Sequence, residues 1–318
     1  MTRRFVVGTR GSALARWQTD HVNERLRAAT AAGTAPPQVD IRVITTQGDV
    51  NLAERLAGSL EKGFFTAELE AALHQREIDW AVHSLKDLPT RMPAGLELVA
   101  VLPRASPADL LLVSAAAYDV AAGGPDRLPL KAGSRVGTSS LRRDAMLKCF
   151  APSCQSLPLR GNVPTRVEKL RNGSYDAIVL AEAGVSRLGI SYEGLHVLRL
   201  EPRLWQPAPG QGAVAVQARA DDAEVRALFA PIHHANTAAA TQLERAFLRV
   251  LEGGCTTPLG AFADAGRVHL GVARPVGWVS LQCAMVPEPE IPAVLERLTA
   301  QQEPRHDCSP ANPLWRSI

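Results

Sequence analysis

The first segment whose residue types could do chemistry is HSLKDLP, residues 83–89, which follows a predicted strand from Ile78 to Val82. Its Lys86 and Asp87 place a base and an acid directly after a predicted buried strand. A carboxylate held in a loop at that point could stabilise a cation or relay a proton. The alternative is that Asp87 only shapes the turn before Pro89, and these residues alone leave both readings open.

Three further loops combine arginine with hydroxyl groups or glycine, each beside a predicted helix start. None is a Walker A or GxGxxG motif, which argues against a nucleotide phosphate as the ligand. A guanidinium fork binds two carboxylate or phosphate oxygens at once, and helix N-termini favour anions. Helix capping by the hydroxyl groups, together with a solvent-exposed arginine, would explain any one of these loops. Three such loops, all at strand-to-helix turns, favour a polyanionic ligand. The loops are Thr9-Arg10-Gly11-Ser12, Thr138-Ser139-Ser140-Leu141-Arg142-Arg143, and Leu159-Arg160-Gly161-Asn162 with Arg166.

Cys255 differs in its surroundings from an ordinary core cysteine, because it lies between Gly253-Gly254 and Thr256-Thr257. This context predicts an exposed and sterically open thiol, and exposure favours reactivity. The five cysteines include no CxxC pair and no cysteine–histidine spacing typical of zinc. We therefore expect free thiols in a reducing compartment and no metal site.

The hydrophobic pattern predicts a scaffold of alternating strands and helices for these residues. The 318 residues are 46% hydrophobic and 21% charged, which is typical of a globular protein of two to three domains. Strands that alternate with helices pair largely in parallel, and their carboxyl ends meet helix N-termini. In the first part we predict strands at 5–7, 39–45 and 78–82 and helices at 13–29 and 66–75, with Ser12 as the first N-cap.

A second stretch repeats this order. The repeated features are Val136-Gly137-Thr138, which echoes Val7-Gly8-Thr9 and again precedes a serine-capped helix, and the spacing Leu170…Asp176…Val179, which matches Leu73…Asp79…Val82. The matches are short and chance is the alternative, but they favour two α/β halves. Residues 202–212 are rich in proline and glycine and are interpreted as a hinge or return crossing.

The remaining chain predicts a third region. It begins near Asp221, after a strand at 213–217, and has a main helix at 237–251 that ends at Gly253-Gly254. Short strands at 268–272 and 279–283 and a helix at 293–299 follow, with a loose polar tail from about residue 301.

Composition and charge exclude several classes of protein. No run approaches the ~18 apolar residues of a membrane span, and the first apolar run stops at Gly8, so we expect neither a membrane protein nor a secretory leader. The net charge is +3, and 30 of the 35 basic residues are arginine. Genomic base composition explains that excess as well as carboxylate recognition does. No basic stripe interleaved with aromatic residues suggests nucleic acid.

Taken in order, eight segments between residues 5 and 263 resemble the hydroxymethylbilane synthase (porphobilinogen deaminase) family. HSLKDLP, GTSSLRR, RGNVxTR and LEGGC are specific in combination. The segments are VGTRGSALARWQT, EKGFFTAELEAAL, DWAVHSLKDLPT, VGTSSLRRDAML, LPLRGNVPTRVEKL, YDAIVLAEAGVSRLG, PGQGAVAV and ERAFLRVLEGGCTTPLGA.

The resemblance implies an α/β fold of three domains. Two would resemble the lobes of type II periplasmic binding proteins, and the third would be a smaller α/β domain carrying the cofactor loop. It places domain 1 at 1–103 plus 208–220, domain 2 at 104–207 and domain 3 at 221–318. It also implies a cytoplasmic monomer without nucleic-acid or membrane partners.

The implied reaction joins four porphobilinogen molecules head to tail, with loss of ammonia, into hydroxymethylbilane. The implied cofactor is a dipyrromethane held by a thioether to Cys255, and the implied catalytic aspartate is Asp87. The arginines suit this chemistry, because each pyrrole ring carries an acetate and a propionate. The resemblance assigns cofactor and substrate binding to Arg10, Ser12, Lys62, Phe65, Lys86, Asp87, Thr138, Ser139, Ser140, Arg142, Arg143, Arg160, Gly161, Arg166, Arg187 and Gln211.

Two residues depart from the family pattern: Gly58 replaces a frequent lysine, and Glu182 puts a negative charge near a polyanion. Beyond Gly271 the pattern fades. The alternative functions are a non-catalytic anion-binding module, which would have no need of Cys255, and more distantly a nucleic-acid binder.

Overall fold

The computed structural model describes residues 3–30, 36–46, 66–252, 258–301 and 312–318. The fold is mixed α/β, as the sequence predicts. The chain divides into two compact units, residues 1–105 with 213–239 and residues 106–212 with 240–318. Among the described helices, none is long and apolar enough to cross a membrane.

The first unit is built on a five-stranded sheet in the order β2-β1-β3-β10-β4. Strand β1 runs parallel to β2 and β3, whereas β10 runs antiparallel to β3 and β4. The strands are β1 (Arg4–Thr9), β2 (Gln38–Val43), β3 (Trp80–Ser84), β4 (Leu96–Val101) and β10 (Val214–Arg219).

Helices α1 (Ala13–Ala29), α2 (Ala67–His74) and α6 (Ala223–Phe229) belong to this unit. Helix α1 begins where predicted, because the Ser12 side chain accepts a hydrogen bond from the Ala15 N–H. Its buried face includes Ala15, Val22 and Leu26, spaced at the helical period. This packing fixes the start of α1 at the carboxyl end of β1.

The second unit contains a six-stranded sheet in the order β14-β9-β5-β8-β6-β7, in which β14 is Trp315–Ser317. Strand β6 is parallel to β7 and β8, while β5 is antiparallel to β8 and β9. The elements are β5 (Asp109–Ser114), β6 (Arg135–Gly137), β7 (Gln155–Leu157), β8 (Ala177–Ala181) and β9 (Leu195–Leu200), with helices α3 (Leu141–Phe150), α4 (Val163–Arg171) and α5 (Glu182–Arg187).

Both sheets share one topology, which confirms the repeat seen in the sequence. The order β7-β6-β8-β5-β9 repeats β2-β1-β3-β10-β4, with β6 in the place of β1 and β5 in the place of β10. Within these five positions, β10 and β5 are the strands of opposite direction, and each lies between the third and the fifth strand of its sheet. The two VGT segments therefore end equivalent strands.

The second unit also holds a three-stranded antiparallel sheet with its own core. Its elements are β11 (Leu259–Asp264), β12 (Arg267–Arg274), β13 (Gly277–Ala284) and α8 (Ile291–Thr299), and helix α7 (Ala235–Glu252) packs into the same core through Phe247. The division into three domains at the predicted bounds stays a prediction.

The end of the chain differs from the predicted loose tail. Residues Trp315–Ser317 form strand β14, which pairs antiparallel with β9. Leu314 is fully buried, and its N–H donates to the Pro125 oxygen. An apolar Leu-Trp pair therefore anchors this polar segment to the edge of the sheet.

Candidate active site

The HSLKDLP segment forms the end of β3 and a single 3₁₀ turn, Leu85–Asp87. Leu85 and Leu88 are buried, and the Leu85 N–H donates to the Ala213 oxygen at 3.0 Å. These anchors fix the turn, while Asp87 is exposed and Lys86 is half-buried. A carboxylate is thereby held at the surface on a rigid support.

Asp87 lies in a cleft of the first unit, together with Arg10 and Ser12. The structure thus brings three of the predicted site residues together. A cation, a hydroxyl and a carboxylate in one cleft can bind a ligand that carries both carboxylates and N–H groups.

The cleft also contains residues that the sequence reasoning did not assign. Gln18 of α1 is buried and donates from Nε2 to the Ser84 hydroxyl at 2.8 Å. Both residues line the cleft, as do Thr66 and His83. The sequence carries one indication of Gln18, since an amide on the apolar face of a helix needs a partner.

His83 is uncharged at neutral pH. Burial disfavours the charged ring and, with the positive charge of Arg10, lowers the pKa of His83 to about 4. The cleft therefore contains a polar but uncharged imidazole on β3, and His83 adds no positive charge to that of Arg10.

In the second unit, Thr138, Ser139 and Ser140 form the turn between β6 and α3. Ser140 is the N-cap of α3, and its hydroxyl accepts from the Arg143 N–H at 3.4 Å. Ser139 donates to the Leu159 oxygen at 2.8 Å and accepts from the Leu159 N–H at 3.1 Å. Ser139 therefore fastens this turn to the neighbouring loop that begins at Arg160.

The loop at Arg160 leads into α4. Gly161 has φ +112°, and an added Cβ would lie 2.9 Å from Thr165 Cγ2, so a larger residue is excluded. Asn162 caps α4 by accepting from the Thr165 N–H at 3.0 Å. Arg160 is exposed, and Arg166 donates to the Gly161 oxygen at 2.7 Å. Two arginines thus flank one helix N-terminus.

Arg142 and Arg143 are buried rather than open to solvent. Both form ion pairs with the fully buried Asp109, at 3.0 and 2.7 Å. The two guanidinium groups hold the pKa of the Asp109 carboxyl well below its usual range, despite its burial. Gln211 joins this cluster, donating to Asp109 Oδ1 at 2.7 Å.

Arg187 is half-buried on α5 and donates to the Gly212 oxygen at 2.8 Å. Burial lowers the pKa of Arg187 to about 10, so its guanidinium remains charged at neutral pH. Glu182, at the start of the same helix, forms an ion pair with Arg199 at 2.9 Å and accepts from Ser106. The negative charge that departs from the family pattern is therefore compensated locally.

Cys255, Lys62 and Phe65, together with Gly58, lie outside the described residues. Within the described ranges, no cluster of histidine, cysteine and acidic residues could hold a metal ion. Cys149, Cys154 and Cys283 are half-buried, and none of them forms a disulfide among the described residues.

The family model "Porphobilinogen deaminase, dipyromethane cofactor binding domain" matches residues 5–227. The model "Porphobilinogen deaminase, C-terminal domain" matches residues 238–305. A porphobilinogen deaminase of Desulforudis audaxviator is 48% identical over 82% of this chain and 80% of its own length. One of Ralstonia nicotianae is 44% identical over 94% of this chain and 86% of its own length.

Among solved structures, an ABC transporter of Parabacteroides distasonis is 14% identical, with a TM-score of 0.42, over 79% of this chain and 76% of that one. The VFT2 domain of Bordetella pertussis BvgS is 16% identical, with a TM-score of 0.41, over 75% of this chain and 91% of that one.

Proposed function

Because this chain belongs to the porphobilinogen deaminase family, we propose that Asp87 is its catalytic carboxylate and that the arginine-bearing turns of both units bind the carboxylates of cofactor and product. The activity is that of a transferase in tetrapyrrole biosynthesis, which deaminates porphobilinogen and joins four molecules into hydroxymethylbilane. The observation that carries the residue assignment is the position of Asp87 in one cleft with Arg10 and Ser12.

The family's cofactor is a dipyrromethane, which when bound supplies the pyrrole to which the first substrate unit is joined. The described residues fit such a group by the chemistry of their donors. The Arg10 guanidinium and the Ser12 hydroxyl suit acetate and propionate, while a carboxylate such as Asp87 suits pyrrole N–H groups. His83, uncharged because of its low pKa, adds no repulsion to a ring that becomes positive.

Asp87 acts on the substrate in two ways. Its carboxylate accepts hydrogen bonds from the pyrrole N–H, which orients the ring. It also opposes the positive charge that develops as ammonia leaves, and this interaction is stronger in the transition state than in the ground state. The buried Leu85 and Leu88 keep the carboxylate in place without reorganisation.

The second unit supplies cationic sites at two helix N-termini. Helix α3 begins after Thr138, Ser139 and Ser140, and helix α4 begins after Arg160 and Gly161. Each N-terminus favours negative charge. The exposed Arg160 adds a bidentate donor at α4, while Arg142 and Arg143, held by Asp109, add positive charge at α3. Each added pyrrole brings two carboxylates, so several such sites are needed. Arg142, Arg143, Arg166, Arg187, Gln211, Lys86, Lys62 and Phe65 complete the proposed set.

We further propose that Cys255 is the attachment residue, that the protein is a monomer and that it acts in the cytoplasm. The support for Cys255 is its place in LEGGC, after helix α7. A thioether forms when the thiol sulfur bonds the substrate methylene carbon and ammonia leaves, and a thiolate is the better nucleophile for this than an alcohol.

The intact mass of the purified protein tests this assignment. We expect an increment equal to two porphobilinogen molecules less two ammonia. Cys255→Ala should remain folded without the increment, while Cys283→Ala, which changes a half-buried thiol on β13, should keep it. An increment that persists in Cys255→Ala moves the attachment elsewhere, and a wild-type protein that neither carries it nor consumes porphobilinogen contradicts the proposed function.

A further inference from the structure

Asp109, the first residue of β5, is a fully buried carboxylate that accepts five hydrogen bonds. Oδ2 accepts from Arg142 Nη2 at 3.0 Å, Arg143 Nε at 3.0 Å and Trp205 Nε1 at 2.9 Å. Oδ1 accepts from Arg143 Nη2 at 2.7 Å and Gln211 Nε2 at 2.7 Å. One carboxylate thus holds two arginines at the start of α3 and two residues of the 202–212 segment.

We propose that Asp109 is a positioning residue for carboxylate binding: it fixes the guanidinium groups of Arg142 and Arg143, the second and third residues of α3, so that their positive charge acts on pyrrole acetates and propionates bound at the start of that helix. This inference rests on the proposed function, since it takes porphobilinogen-derived carboxylates as the ligand. Asp109 does not itself touch the ligand.

The geometry of Arg143 shows how firmly its guanidinium is fixed. Nε and Nη2 bind Asp109 side-on, and Nη1 donates to the Val179 oxygen at 3.0 Å. Arg142 is held from two sides, by Asp109 and by the Gln206 oxygen at 2.7 Å from Nη1. Neither guanidinium can rotate without breaking charge-assisted hydrogen bonds.

The charges of this cluster do not cancel. Asp109 carries one negative charge against the two positive charges of Arg142 and Arg143, so the ionised cluster has a net charge of +1. Burial and the neighbouring Arg143 lower the pKa of Arg142 although Asp109 opposes them. The remaining positive charge is carried by residues of the first turn of α3, the end of the helix at which the macrodipole also favours an anion.

The same carboxylate holds the return segment in place. Trp205 and Gln211 both donate to Asp109, and the Gln206 side chain accepts from Trp278 Nε1 at 2.9 Å. A displacement of Asp109 would therefore move the arginines and this segment together. Asp109 is negatively charged and therefore does not itself attract an anion. Its contribution to carboxylate binding is to hold the two guanidinium groups in place.

A role in geometry and a role in net charge predict opposite changes in carboxylate affinity when the charge of Asp109 is removed. Asp109→Asn removes a negative charge and raises the cluster charge from +1 to +2. If only net charge mattered, carboxylates would bind more tightly. If Asp109 positions the guanidinium groups, they would bind less tightly in spite of the added positive charge.

The measurement is the porphobilinogen concentration that half-loads cofactor-free protein, read from the adduct by intact mass, with thermal unfolding recorded in parallel. We expect Asp109→Asn to raise this concentration at least tenfold at a temperature where circular dichroism shows the variant folded. The matched control is Asp222→Asn, because Asp222 is also a buried carboxylate shared by two arginines, Arg3 and Arg219. The control should lose stability but stay within twofold of wild type in loading.

Where Asp109→Asn does not fold, Trp205→Phe serves, since it removes one donor to Oδ2 and keeps every charge. We expect its half-loading concentration to rise about threefold. Wild-type loading by Asp109→Asn, tighter loading, or unchanged loading by Trp205→Phe overturns the positioning role while leaving the proposed function intact. A wild-type protein that forms no adduct overturns both.

Discussion

Asp79 and Asp176 make the same pair of main-chain hydrogen bonds in the two halves of the chain. Asp79 accepts from the Val6 N–H at 2.7 Å and donates its own N–H to the Val6 oxygen at 2.7 Å. Asp176 accepts from the Arg135 N–H at 2.8 Å and donates to the Arg135 oxygen at 2.9 Å. Each aspartate thereby fixes the start of the strand that follows it, β3 after Asp79 and β8 after Asp176.

Replacing either aspartate with alanine should therefore lower the free energy of unfolding, by about 1 to 3 kcal/mol, because a charged acceptor for a main-chain N–H is lost. Asp221→Ala is the control, since Asp221 is exposed and forms a surface ion pair with Arg76; this substitution should cost less than about 1 kcal/mol. Urea unfolding measures all three variants. Equal losses in all three would show that the main-chain bonds contribute nothing particular.

The repeat could be predicted from sequence because its features are local. The VGT segment lies at the end of one strand, and the Leu…Asp…Val spacing lies within one helix-turn-strand unit. A strand at 213–217 was predicted and is β10, but the antiparallel pairing of β10, and the existence of β5, could not be predicted, because each strand pairs with segments far away in the chain. Strand β14 was missed for the same reason, since only Leu314 and Trp315 indicate it in a polar tail.

For the candidate site too, local features could be predicted from the sequence, whereas contacts between distant segments could not. Ser12 and Ser140 could be identified as N-caps, because a cap involves residues three positions apart. Asp109 could not be connected to Arg142 and Arg143, although a charge at the head of the apolar run Leu110 to Val113 needs a partner when buried. Only the folded sheet shows which partners it has.

The pH dependence of stability should reflect His83. Its folded pKa of about 4 lies below the ordinary 6.5, so between these values the unfolded chain binds more protons. Stability is then greatest above pH 6.5 and falls as the pH drops toward 4, by about 3 kcal/mol for this group. His269, whose burial also lowers its pKa to about 4, acts in the same direction.

His83→Gln should therefore flatten the pH dependence between pH 4 and 6.5, as measured by urea unfolding at several pH values. The control is His74→Gln, since His74 is exposed on α2. A variant at position 83 that keeps the full wild-type slope would assign the acid sensitivity to other groups.

Gly260 on β11 has no room for a side chain. An added Cβ would lie 2.6 Å from the Gln206 main-chain oxygen and 2.7 Å from Gln206 Cβ. Gly260→Ala should therefore destabilise the protein by about 1 to 3 kcal/mol. Gly124→Ala, whose Cβ would meet nothing nearer than 3.8 Å, should be close to neutral, and thermal unfolding separates the two; equal midpoints would mean that the 202–212 segment moves aside freely.

Arg160 should contribute to ligand binding and little to folding, because it is exposed at the start of α4. Arg160→Leu removes a bidentate donor and should raise the KM for porphobilinogen about tenfold or more with an unchanged melting temperature. Arg171→Leu changes an exposed arginine at the opposite end of the same helix and should leave KM within twofold. Equal KM values for the two variants would remove Arg160 from the binding set.

Asp87 gives the sharpest prediction, because its charge and its position can be changed separately. Asp87→Asn keeps the size and much of the hydrogen bonding but removes the charge, whereas Asp87→Glu keeps the charge and shifts it by one methylene. The charge on the substrate is greater in the transition state than in the bound state, so kcat should fall more than binding weakens. For Asp87→Asn the loss should be on the order of 10²-fold or more, and Asp87→Glu should retain more activity.

The measurement is single-turnover release of ammonia from protein that already carries the adduct, because this separates chemistry from cofactor assembly. The adduct mass of each variant is recorded first, so that an unloaded protein is not mistaken for an inactive one. The anchors Leu85 and Leu88 are unchanged in both variants, so the turn itself should be retained. If loaded Asp87→Asn releases ammonia at the wild-type rate, the carboxylate only shapes the turn before Pro89, and the opposing charge must come from another group in the cleft.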